Sequence, residues 1–286
     1  MRLERLHRLI NEGHAVGEKQ NALHPIAAQK KIAQRDDGAV LPAPVVITTS
    51  ALRSLSFSNA SEMRRMARVW GRDYDAFEEN GRLVFEDKRG LLDLPSPRLI
   101  GHHQQQNAAT AIAALRAIEP HLPASAFEHG LLHVEWPARL QNLAKGHVAA
   151  LAPAGADIWL DGGHNEDAGR ALAQSMAELE DKMQRPLVIV CGSLASKDTG
   201  GFLRAFKGLA QEVVAVPVNA DQYAKPAAEV AAAATANGIP AAACESVKSA
   251  LAFLAARQWP APPRVLIAGS LYLAGEVLAL NGTPPE

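Results

Sequence analysis

The chain has 286 residues, with 29 Lys and Arg against 30 Asp and Glu and a formal net charge of −1. This length allows two ordinary domains with a sizeable core, and the missing basic excess argues against nucleic acid or an anionic membrane as partner. The opening Met1–Ile10 is too charged for a signal peptide. No apolar run approaches the roughly 20 residues of a membrane span. The expectation is a cytoplasmic monomer with no membrane segment. Cys191 and Cys244 stand in no metal-ligand spacing and read as two buried free thiols of a reducing compartment.

Residues 1–40 carry no core pattern. Val45–Thr48 and Leu83–Phe85 are expected strands, and Ala60–Trp70 and Asn107–Ile118 expected helices. The prolines and glycine between Pro120 and Pro137 read as a connection between domains, with the boundary at Arg139, giving 1–138 and 139–286. From Asp157 onward, apolar β-type runs alternate with helical patterns. The strands are Ile158–Leu160, Leu187–Val190, Val213–Val216 and Val265–Ala268. The helices run from about Ala168 to Lys182, over 202–210, from Pro226 to Asn237 before Gly238, from Ser246 to Arg257, and from Leu273 to Leu280. The alternation predicts an α/β fold: a Rossmann-like, mostly parallel sheet with helices on both faces. In such sheets ligands bind beyond the carboxyl ends of the strands.

Five polar motifs fall near those ends or near the expected boundary. Leu160-Asp161-Gly162-Gly163-His164-Asn165 sits between a strand and a helix, where glycines permit close approach and a helix start favours an anion. The competing reading is a plain turn in which Asp161 bonds nearby amides and Asn165 caps the helix. Gly101-His102-His103-Gln104-Gln105-Gln106-Asn107-Ala108-Ala109 precedes an Ala-rich helix, so Asn107 is either a ligand contact or a helix cap. Trp136-Pro137-Ala138-Arg139-Leu140-Gln141 places an Arg that could clamp phosphate or stack on a base, or lie over an apolar hinge. Gly192-Ser193-Leu194-Ala195-Ser196-Lys197-Asp198 and Gly269-Ser270-Leu271-Tyr272-Leu273 each follow a strand, and their shared position suggests one rim.

In this order the five motifs resemble the dihydrofolate synthase/folylpolyglutamate synthase family, a branch of the Mur ligase superfamily, over about residues 80–286. The resemblance implies a Mur-ligase-type C-terminal domain at 139–286, preceded by a remnant of the ATP-binding α/β domain. It implies that ATP phosphorylates a carboxylate of dihydropteroate or a folate, and that the amine of L-glutamate attacks the acyl phosphate. ATP and Mg2+ are the cofactors so implied. Asn107, Arg139 and Asp161 would contact adenosine, with His164 beside them. Lys197, Asp198, Ser270 and Tyr272 would line the facing side of the cleft.

The sequence departs from the family at its front. It holds no Gly-Lys pair and hence no G-x-x-x-x-G-K-[ST] phosphate loop, and the acidic Gly-rich segment that helps hold magnesium is missing. Lys30 and His14 match the family's metal-site lysine and histidine only loosely and are given no role. The chain therefore reads as N-terminally truncated and inactive as a ligase by itself; the alternatives are a non-catalytic nucleotide-binding or interaction module, or a Mur-type cell-wall ligase, against which the Gly269–Leu273 and Trp136–Gln141 motifs favour the folate branch.

Overall fold

The computed structural model describes residues 68–284. The expected strand 45–48, His14 and Lys30 lie outside them, as does most of the expected helix 60–70; its described residues, 68–70, are not helical. Asp75–Pro285 form one compact unit, and Met1–Tyr74 belong with Glu286 to another. In the described end of the latter, Asp73 accepts from the Val69 amide at 2.8 Å and pairs with Arg72. No described helix is long and apolar enough to cross a membrane.

The first described sheet is three-stranded, β1 (Tyr74–Glu79), β2 (Arg82–Asp87) and β3 (Gly90–Pro95), in the order β1-β2-β3. Asn80 and Gly81 link β1 to β2 with φ of +52° and +75°, the two left-handed residues of a tight hairpin turn. Leu83, Phe85 and Leu94 are fully buried, while Phe77 and Leu91 are exposed, so one face of this sheet is covered. Helix α1 (His102–Ile118) follows, then α2 (Ala124–His133).

Two sequence expectations are corrected here. Helix α1 starts five residues earlier than Asn107, on Gly101 with φ +113°, so Asn107 lies in the second turn and is not a cap. The stretch 120–137 is not a bare connection. Pro123 stands at the N-cap of α2, where its missing N–H costs nothing, and the helix buries Phe127 and Leu131.

A six-stranded sheet forms the rest, in the order β4-β5-β9-β6-β7-β8, from β4 (Gln141–Asn142), β5 (Asp157–Leu160), β6 (Leu187–Cys191), β7 (Glu212–Ala215), β8 (Ala241–Ala243) and β9 (Arg264–Ala268). Every pairing is parallel except β4 with β5. Successive side chains point to opposite faces. Val188, Val190, Val265 and Ile267 join one core with α3 (His147–Leu151), α7 (Val247–Ala255) and α8 (Leu271–Asn281). Leu187, Ile189, Cys191, Leu266 and Ala268 join the other with α4 (Glu166–Lys182), α5 (Thr199–Arg204) and α6 (Ala227–Ala236). The expected mostly parallel sheet with helices on both faces is present.

Local chemistry sets the helix ends. Asn165 caps α4 through the Ala168 amide, Asp198 caps α5 through the Gly201 amide, and Ser246 with Ser249 forms a capping box on α7. The helix expected over 202–210 is shifted: α5 ends at Arg204 and turns follow, with Gly208 at φ +79°. Gly169 lets α4 lie directly on α5, since a Cβ there would stand 2.4 Å from the Phe202 carbonyl oxygen. Of the two thiols only Cys191 is buried; Cys244 is partly exposed.

Candidate functional site

Strands β5, β9 and β6 lie side by side, and the helices after them leave for opposite faces: α4 and α5 to one, α8 to the other. Such a switch opens a crevice at the strands' carboxyl ends. Three of the five motifs meet there. The Gly269 amide donates to the Gly163 carbonyl at 2.9 Å, and the Gly192 amide to the Ala268 carbonyl at 3.3 Å. Gly269 has φ +110°, and a Cβ on it would stand 2.6 Å from the Gly192 carbonyl oxygen, so the close approach needs glycine.

Asp161, at the end of β5, is only 4% exposed. Its Oδ2 accepts from the Leu140 amide at 2.8 Å and its Oδ1 from the Gly163 amide at 2.7 Å. Burial raises this carboxyl above the usual range, against the two amides, Arg139 and His164, which lower it. The Leu140 contact is informative because Ala138 and Leu140 have φ of +56° and +43°. Left-handed backbone costs a non-glycine residue roughly 1–2 kcal/mol, so it persists only where neighbours hold it. Here Asp161 holds Leu140, the Ala138 carbonyl accepts from the Gly162 amide at 2.9 Å, and the Ala138 amide donates to Gln141 Oε1 at 3.0 Å. Ala138 and Leu140 are buried, and Arg139 is exposed between them.

Arg139 and Asn107 line one cavity of about 450 Å³, otherwise walled mainly by apolar residues of α1 and α2 and by Trp136. Arg139 acts electrostatically on both Asp161 and His103 of α1. His164 is half-buried beside Asp161, with Nδ1 3.0 Å from the Gly162 carbonyl oxygen. The fold thus brings Asn107, Arg139, Asp161 and His164 into one neighbourhood, but with different commitments. Asn107 and Arg139 are exposed on the cavity, while the Asp161 carboxylate is spent on backbone.

The facing set is more structural than a row of rim ligands. Asp198 caps α5, with Oδ1 2.9 Å from the Gly201 amide. Ser270 is buried and caps α8, 3.1 Å from the Tyr272 amide, and Tyr272 packs against the core. Lys197 is half-buried. Among the described residues no hydrogen bond or ion pair joins these four to Asn107, Arg139 or Asp161.

Two groups escaped the sequence reading. Lys225 Nζ donates to the Lys197 carbonyl at 3.0 Å and to Thr199 Oγ1 at 2.9 Å, pinning the loop after β6; no motif marks it. Gln104, 4% exposed, bridges His103 and Asn107. Its signal was present, since His103-Gln104 belongs to the motif that contains Asn107. Burial and Arg139 push the His103 imidazole below its ordinary 6.5, against Glu178. Among the described residues no three His, Cys, Asp or Glu side chains converge to hold a metal ion.

The Mur ligase, glutamate ligase domain family matches residues 147–271. The folylpolyglutamate synthase of Lacticaseibacillus casei is 30% identical over 201 residues, covering 68% of this chain and 42% of that protein. The dihydrofolate synthase/folylpolyglutamate synthase of Bacillus subtilis is 36% identical over 84 residues, 28% of this chain and 17% of that one. Among solved structures, Mycobacterium tuberculosis folylpolyglutamate synthase complexed with ADP and AMPPCP is similar at a TM-score of 0.60 and 26% identity, over 79% of this chain and 52% of that chain. Over these stretches the chain is similar to the dihydrofolate synthase/folylpolyglutamate synthase family. E. coli FolC in complex with DHPP and ADP shares the fold at a TM-score of 0.62 and 24% identity, over 74% of this chain and 46% of its own. The chain spans about half the length of these synthase structures and 42% of the Lacticaseibacillus casei protein.

Proposed function

We propose that residues 139–286 are the Mur-ligase-type C-terminal domain of an ATP-dependent amide ligase of folate biosynthesis. Residues 1–138 are then the end of its ATP-binding domain. The reaction adds L-glutamate to dihydropteroate, to folylpolyglutamates, or to both, through an acyl phosphate in the cytoplasm. The observation that carries this reading is Arg139, exposed between two buried left-handed residues that Asp161 and Gln141 hold in place, on the same cavity as Asn107. An exposed guanidinium on an anchored backbone can hold a nucleotide through stacking or phosphate contacts, and the apolar cavity walls suit the base.

In this reading Asn107 and Arg139 touch adenosine, Asp161 and His164 support them, and Lys197 presents its charge to the glutamate side. ATP, L-glutamate and a pteroate-type acid are the small-molecule partners, and the protein is a monomer. Bound ATP supplies the phosphoryl group that activates the carboxylate; this chain's own residues bind and orient the adenosine end. Mg2+ is the family's metal, and no step is assigned to it through the described residues.

Two measurements test the proposal together. Equilibrium dialysis should detect ATP binding to the chain. Phosphate release dependent on ATP, glutamate and dihydropteroate should stay at background, because each missing phosphate-gripping contact is worth about 3 kcal/mol of transition-state stabilisation. Release near ordinary ligase rates, or no ATP binding, would contradict the proposal.

A further inference from the structure

The first turns of α1 contain a side-chain relay that the nucleotide reading does not require. Gln104 Nε2 lies 2.9 Å from His103 Nε2, and Gln104 Oε1 accepts from Asn107 Nδ2 at 3.1 Å. Gln104 is buried at 4% exposure, and Asn107 is exposed on the cavity. The His103 ring is seated over Gly101, where a Cβ would stand 2.6 Å from its Cε1. We propose that His103 and Gln104 set the polarity of the Asn107 carboxamide and so select an adenine over a 6-oxopurine. The inference rests on the nucleotide reading above and names the residues that decide its base.

The argument follows from the donor count of each group. His103 Nε2, unprotonated, can only accept. Gln104 must then turn its NH2 toward His103 and its oxygen toward Asn107, which spends one Asn107 N–H. What Asn107 offers the cavity is its oxygen and one remaining N–H. That pair matches the N6 amino group and N7 acceptor of adenine. A 6-oxopurine shows two acceptors, O6 and N7, along the same edge, and the Asn107 oxygen would oppose one of them. A proton on His103 Nε2 reverses the relay: Gln104 turns its oxygen to the ring and its NH2 to the Asn107 oxygen. Both Asn107 N–H groups are then left for the ligand.

The charged groups facing His103 are Arg139 from the 138–140 turn and Glu178 from α4. Burial and Arg139 favour the neutral ring, and Glu178 opposes them; the 2.9 Å approach of Gln104 Nε2 to His103 Nε2 requires the neutral tautomer with its proton on Nδ1, which is the adenine-selecting one.

The test is competitive binding of ADP and IDP to the full chain, which differ at this edge only by amino against oxo. Wild type should bind ADP about 10- to 100-fold more tightly than IDP, the range for one good bidentate pair. Gln104→Leu should bring the ratio to within about threefold of unity by weakening ADP more than IDP, whereas a merely structural loss weakens both equally. Wild type itself gives the second readout: the ratio should shrink as pH falls through the His103 titration. Equal affinity for ADP and IDP in wild type would overturn the proposal alone. So would a ratio that neither Gln104→Leu nor acid moves. Failure of wild type to bind either nucleotide, or an Arg139→Ala variant that binds both unchanged, would overturn the nucleotide reading and this inference with it.

Discussion

Beyond Arg139, strands β6 and β9 are buried at every position, and the large apolar residues left exposed are Met183, Tyr223 and Leu271. Between Asp75 and Ala138, Phe77, Leu91, Ile100, Leu115, Leu122, Leu132 and Trp136 are all exposed. The contrast is architectural. A parallel sheet covered by helices on both faces closes its own core, whereas the three-stranded sheet with α1 and α2 covers one face and leaves apolar surface on the other. The candidate site straddles this difference. Asn107 comes from the loosely covered stretch, Asp161 from the closed core, and Arg139 from the turn that joins them.

The sharpest way to break the comparison is to strike the closed core. Arg264 is 2% exposed and pairs with Asp157 at 2.9 Å and Glu180 at 3.3 Å. Arg264→Ala removes a buried guanidinium from two partly exposed carboxylates and should cost about 2–3 kcal/mol in denaturant unfolding. Asp161→Asn keeps the shape but turns an NH2 toward one of the two backbone amides. It should cost about 1–3 kcal/mol and weaken ATP binding with it, while Asn165→Ala, which removes only a helix cap, should cost about 1 kcal/mol and leave ATP affinity alone.

Gly275, inside α8, has open space where a Cβ would go, so Gly275→Ala should stabilise by roughly 0.5–1 kcal/mol. Leu91→Lys, on the exposed side of β3, should change stability by less than about 0.5 kcal/mol; a large loss would mean that this face belongs to the core after all. His103 adds a pH signature. Its folded value lies below 6.5, so between that value and 6.5 the unfolded chain binds a proton that the folded chain does not. Stability should therefore fall as pH drops through that window, and His103→Phe should remove this part of the slope.

The closed core was the legible part of the sequence. Leu187–Val190 and Val265–Ala268 read as strands because a strand covered on both faces must be apolar throughout. The last three strand-end motifs could be placed because the β-α alternation fixed where the carboxyl ends lay. The open stretch hid more. β1, Tyr-Asp-Ala-Phe-Glu-Glu, carries its strand signal only in the Asn80-Gly81 turn after it, and α2 was masked by Pro123 and Gly130, read as breakers although one sits at the cap and the other in open space. β8 is three alanines, which carry no strand signal. For the site, the motifs singled out Asn107, Arg139, Asp161 and His164, but the commitment of Asp161 to the Leu140 amide depends on a contact across 21 residues. The Gln104 relay depends on side-chain orientation, which no sequence pattern encodes.

The account stands on Arg139 as a nucleotide-binding guanidinium carried on an anchored turn. Calorimetric titration of ADP into wild type and into Arg139→Ala tests it most directly. The account predicts saturable heat from wild type and an affinity at least about tenfold weaker in the variant, the loss of roughly 1.4 kcal/mol expected of a charge-assisted contact. Identical isotherms from the two proteins would contradict it.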